Sequence, residues 1–170
     1  KGKVAKELFN NANKMLDEII EKRLLQANVA YGFWPANSQK NDIILFKDEK
    51  RADELIRFNM LRQRKIRNGM ALSLSDFIAP KNSNVNDYIG AFAVTAGINA
   101  EELAKKYEES NDDYNSIMVK TLADRLAEAL AELMHQRVRK EWGFPDGEKI
   151  TNDDLIKEKY RGIRPAFGYP

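Results

Sequence analysis

The sequence predicts an α+β fold: a mainly antiparallel sheet with flanking helices. Three observations predict it. Apolar residues recur at spacings of three and four near the start. β-Branched and aromatic runs, broken by turn clusters, fill the middle. Capped helical patterns occupy the second half.

The elements follow in chain order. Val4, Leu8, Ala12, Met15, Leu16, Ile19 and Ile20 share one face of a helix that runs to about Gln26. "ANVAYGFWPANS" is an aromatic strand ending in a turn cluster, and "DIILFKDE" is a short second strand. The two form an antiparallel pair joined by a polar loop over 37–41. "ELIRFNMLRQ" alternates with a period of two, which is a strand. "SLSDFIAPKNSNVNDY" is turn-rich. "YIGAFAVTAG" is a buried strand whose Gly90 and Ala91 permit close backbone approach.

Asn99 and Glu102 have capping-box spacing for a helix over 100–109. Asp112 and Asp113 open a long helix that ends near Trp142, where "WGFPDGE" breaks it. Thr151 and Asp154 cap a last helix over 152–160. There is no internal repeat.

Projected at about 100° per residue, the long helix places Met118, Val119, Leu122, Leu126, Leu130, Leu133 and Met134 on a core face with Ala129. Asp124, Glu128 and His135 cluster on another side, with Glu132 beside them. Two readings stay open. The cluster is a solvated face neutralised by neighbouring arginines, or a stripe that meets a cation: a ligand ammonium, or an Arg from another segment.

Composition excludes several classes. The 170 residues suit one domain, with 43% hydrophobic and 32% charged residues. The net charge of +2 gives no electrostatic footprint for nucleic acid, and the run Arg62 to Arg67 is the only dense basic patch. The absence of cysteine excludes disulfides and thiol chemistry, and a single histidine excludes a multi-His metal site. No apolar run reaches the roughly 18 residues of a membrane span. Starting on Lys1 without an initiator Met or an apolar leader, the chain reads as a piece of something longer and of cytoplasmic origin.

The chain closes on "YRGIRPAFGYP". Pro165 fixes its own φ and biases Arg164 towards an extended conformation, while Gly168 permits a turn. A guanidinium presents a rigid fork for a carboxylate. Tyr169 offers a ring face and a hydroxyl, and Glu158 an acceptor for an ammonium or ribose hydroxyls. Carboxylate, ammonium and aromatic ring together describe a nucleoside–amino-acid ligand such as S-adenosylmethionine. The plainer reading is a loop that only terminates the last helix.

"DYIGAFAVTAG" (87–97), "NDDYNSIMVKTLADRLAEALAELMHQRVRKEWGF" (111–144) and "YRGIRPAFGYP" (160–170) closely resemble the activation, or reactivation, domain of cobalamin-dependent methionine synthase. "GFWPAN" (32–37) and "SLSDFIAP" (73–80) match the same family, and the resemblance covers nearly the whole chain in order. It implies a C-shaped single domain over 1–170 with a bent antiparallel sheet, truncated at both ends relative to the family. It implies a domain of a methyltransferase that moves a methyl group from methyltetrahydrofolate to homocysteine. The domain would bind S-adenosylmethionine and support reductive methylation of cob(II)alamin carried by a neighbouring cobalamin domain. Flavodoxin or a related flavoprotein would donate the electron. The family's Arg-x-x-x-Gly-Tyr motif falls on Arg164, Gly168 and Tyr169, with backbone contacts from Pro165 and Ala166. The family's binding glutamates match Glu128 and Glu158. Asp124 and His135 become candidates for the docking surface. Phe167 stands where family members usually carry a second Pro. No residue is expected to act as a general acid or base, because methyl transfer from a sulfonium to reduced cobalt needs orientation rather than proton transfer.

Two other classes compete. One is a docking module that binds the cobalamin domain or flavodoxin without a ligand. The other is a free-standing S-adenosylmethionine methyltransferase, whose usual G-x-G-x-x-G loop is missing here.

Overall fold

A computed structural model describes residues 2–66, 69–144 and 150–165. Helix α1 (Gly2–Lys22) is followed by strands β1 (Gln26–Gln39), β2 (Asp42–Phe46), β3 (Glu54–Asn59) and β4 (Asp87–Ile98). Helices α2 (Ala100–Glu109), α3 (Asp113–Glu141) and α4 (Asn152–Ile156) complete the chain. The strands form one antiparallel sheet in the order β3-β2-β1-β4. The architecture is therefore α+β, as the sequence predicts.

The chain divides into two compact units. One comprises 1–30 and 93–170, the other 31–92. In the first, α1, α2 and α3 share a core of Met15, Ile19, Ala104, Met118, Val119 and Ala123. Small residues on α2 let the helices approach closely.

In the second unit, Ala36 pairs with Leu45 and Gln39 with Asp42. The connection is thus the two residues Lys40 and Asn41, with Lys40 left-handed at φ 57°. This corrects the loop expected over 37–41. Asn37 and Ser38, read as turn formers, are buried inside β1. They stay there because their side chains donate to backbone carbonyls. Asn37 Nδ2 reaches Ala79 O at 3.0 Å and Val85 O at 2.9 Å, and Ser38 Oγ reaches Ile78 O at 2.8 Å. Ala36, Ile43 and Leu45 form the local core with Trp34 and Ile89 against them. Gly32 is required beside that cluster. A Cβ there would sit 2.7 Å from the Trp34 ring.

The helix ends correct two boundaries and one cap. α1 stops at Lys22 because Arg23 turns left-handed at φ 51°, with Leu24 N donating to Ile19 O at 3.0 Å. α4 stops at Ile156 because Glu158 does the same at φ 52°. There Lys159 N donates to Asp154 O at 2.9 Å and Glu158 N to Leu155 O at 3.0 Å, the paired bonds of a Schellman closure. The capping box expected at Asn99 is also absent. Asn99 is left-handed at φ 73° and makes no side-chain cap bond, whereas a capping residue needs extended backbone. Asp112 and Thr151 do cap their helices, accepting from Asn115 N and Asp154 N.

The core face expected on α3 holds only in part. Met118, Val119 and Met134 are buried, but Leu133 is 57% exposed. The buried side shifts along the 29-residue helix. Its first half packs in the three-helix core, and its second half lies against residues 160–164.

Candidate functional site

The second half of α3 and the segment after α4 build one polar cluster in the first unit. His135 and Arg139 lie one turn apart and are both buried, at 7% and 6% exposure. Arg139 Nη1 is 2.6 Å from His135 Nδ1. A guanidinium only donates, so Nδ1 accepts and the ring proton sits on Nε2. The Tyr160 ring closes over both. It lies 4.2 Å from the Arg139 guanidinium carbon and 4.7 Å edge-on from the His135 ring. A desolvated cation–π contact of this kind is worth about 2 kcal/mol. Burial, and then the Glu132 carboxylate, push the Tyr160 hydroxyl above its usual pKa, while Arg164 pulls it back. Tyr160 therefore stays a neutral hydroxyl.

Four residues beyond Tyr160, Arg164 turns inward. Its side chain keeps 19% exposure, and Nη2 donates to Glu132 Oε1. Among the described residues, Arg164 Nε and Glu132 Oε2 are buried without a hydrogen-bond partner. Of the two readings left open for the acidic stripe, the one in which an Arg from another segment meets it applies at Glu132.

The other sequence candidates divide. Asp124 and Glu128 are exposed on α3, with Glu128 one turn before Glu132. Glu158 is exposed in its left-handed position, and its charge is felt at Tyr160. Pro165 is exposed beside Arg164. Ala166, Gly168 and Tyr169 lie outside the described residues. The pairing of Asp124 with His135 on a docking surface is corrected, because His135 is buried against Tyr160 and Arg139. Sequence reasoning missed Arg139 and Tyr160. The available signal was the His135/Arg139 pair at helical spacing. Among the described residues, no group of acidic and His side chains is arranged to hold a metal ion, and no helix is long and apolar enough to cross a membrane.

An arginine with a side chain only 19% exposed, and with Nε unpartnered among the described residues, suits an amino-acid carboxylate. Comparison with known proteins decides the family. The family model described as "Vitamin B12 dependent methionine synthase, activation domain" matches residues 1–170. The chain belongs to this activation-domain family. Among solved structures, it is similar to the MetH reactivation domain bound to AdoHcy, at 48% identity and a TM-score of 0.92. The match covers 99% of this activation domain and 53% of that chain, so this one spans about half the length of its neighbour.

Proposed function

We propose that this activation domain binds S-adenosylmethionine and supports reductive methylation of cob(II)alamin in a methyltetrahydrofolate:homocysteine methyltransferase. The observation that carries the reading is Arg164, mostly buried yet with Nε unpartnered among the described residues. The similar domain bound to AdoHcy supports the same ligand class. The donor set fits the group: a fixed guanidinium for the carboxylate, and carboxylates on α3 and after α4 for the ammonium and ribose hydroxyls.

In this reading Arg164 takes the ligand carboxylate. Pro165 and Ala166 supply backbone contacts, Gly168 the turn, and Tyr169 the ring face. Glu128 and Glu158 serve the cationic and hydroxyl ends. Asp124 faces the cobalamin domain. S-adenosylmethionine supplies the methyl group that returns the cobalamin to its methylated form. Flavodoxin or a related flavoprotein supplies the electron, in the cytoplasm. The chain's own residues bind and orient, and none moves a proton.

The test is methyl transfer in the longer enzyme. With S-adenosylmethionine labelled at its methyl group, reduction should load label onto cobalamin in the parent and not in Arg164→Ala. Labelling of the variant at the parent rate would sink the assignment.

A further inference from the structure

We propose that Glu132 is a positioning residue: it holds Arg164 by one edge and so aims the rest of the guanidinium at the α-carboxylate of the ligand. This rests on the S-adenosylmethionine reading above. Glu132 is neither one of the glutamates matched from the family nor expected to touch the ligand.

Three observations carry it. First, the two residues come from supports of different stiffness. Glu132 stands on the 29-residue helix α3, whereas Arg164 lies beyond the end of α4 on a stretch with no regular secondary structure. An arginine on such a stretch loses considerable rotamer freedom when it grips a ligand. Contact with a helix-borne carboxylate removes part of that cost beforehand.

Second, the contact uses little of the guanidinium. Only Nη2 donates to Glu132, through Oε1. A guanidinium has five donors in a planar fork. Nε is buried and unpartnered among the described residues. Buried donors are rarely left unmade. A ligand carboxylate meeting the remaining edge would satisfy it.

Third, the pair is held in place from the other side. Tyr160, lying over the buried Arg139 guanidinium and edge-on to buried His135, anchors the start of the segment that carries Arg164. The hydroxyl of Tyr160 responds to both Glu132 and Arg164, so all three lie together. Glu132 thus acts on the ligand through Arg164.

The experiment compares two ligands on the full chain by calorimetry: S-adenosylhomocysteine, and its decarboxylated analogue, which keeps the ammonium and the adenosine. Glu132→Ala should weaken S-adenosylhomocysteine about tenfold, equivalent to about 1.4 kcal/mol. It should leave the decarboxylated analogue unchanged. Glu132→Gln, which keeps an acceptor oxygen, should recover part of the loss and guards against misfolding of the alanine variant. Equal losses for both ligands would overturn the inference, because the effect would then not pass through the carboxylate. Tighter binding by Glu132→Ala would also overturn it, since Glu132 would then compete with the ligand. If Arg164→Ala loses S-adenosylhomocysteine while both Glu132 variants bind normally, the inference fails and the site stands. If Arg164→Ala binds normally, the site reading itself fails.

Discussion

Arg51 offers the sharpest stability prediction. It lies between β2 and β3, left-handed at φ 54°, with a side chain 11% exposed. Its Nη1 donates to Ala36 O at 3.1 Å and Asn37 Oδ1 at 2.8 Å, and its Nη2 to Asp87 O at 2.8 Å. The guanidinium also sits 5.7 Å from the Phe46 ring and 5.2 Å from the Tyr88 ring. One side chain therefore ties β1, β2 and the start of β4 together. Arg51→Ala strips a charged donor from three acceptors, two of them on residues that are themselves buried. Each unsatisfied buried acceptor costs about 1–3 kcal/mol. Water entering the vacated space keeps each near the low end, so the total is about 3 kcal/mol. For a chain of this length that lowers Tm by roughly 6–12 °C. Alanine inherits the left-handed backbone, so no strain is relieved. Arg51→Gly loses the same bonds but relieves about 1 kcal/mol of it. The order of stability should be parent, then Gly, then Ala. Urea unfolding followed by Trp34 fluorescence in a Trp142→Phe background reads the unit that contains Arg51. A loss below about 1 kcal/mol for Arg51→Ala, or a glycine variant less stable than the alanine one, would refute the reasoning.

Two further predictions concern other elements. Arg62 bonds Asp76 through both Nη atoms, and together with the Ser73 N–H it holds the Asp76 carboxyl down at about 2. Its unfolded value is about 3.9. The stabilisation is thus complete above that value and is lost as pH falls through about 2. Asp76→Asn should flatten the decline of the urea midpoint over that acid range, and an unchanged slope would contradict the pairing. At the end of α4, Glu158→Gly should relieve about 1 kcal/mol of left-handed strain and slow exchange of the Lys159 amide about fivefold; faster exchange would mean that the Glu158 side chain contributes more than its backbone costs.

Much of the architecture is legible in the residue pattern, and the misses have physical causes. Periodicity finds α1 and β3, aromatic and β-branched runs find β1, β2 and β4, and capping residues mark α3 and α4. Helix ends were legible where the left-handed closer is Gly143 or Asn111, residues that tolerate such backbone. They were not legible at Arg23 and Glu158, whose types give no such signal. Asn37 and Ser38 read as turn because their partners at 78–85 are distant in sequence. The burial of His135 and Arg139 depends on Tyr160, which no local pattern reveals. At the site, the alternation of Pro and Gly around Arg164 pointed to a presented cation. The proposed ligand rests on family resemblance, and the Arg164 partner Glu132 was legible only as one member of an acidic stripe.

The most direct test of the central claim is calorimetric titration of S-adenosylhomocysteine into this chain and its Arg164→Ala variant. Truncating one side of a buried, charge-assisted contact costs about 2–5 kcal/mol. The account predicts measurable binding to the parent and a loss of at least about thirtyfold in the variant. Equal affinity for the two would contradict it.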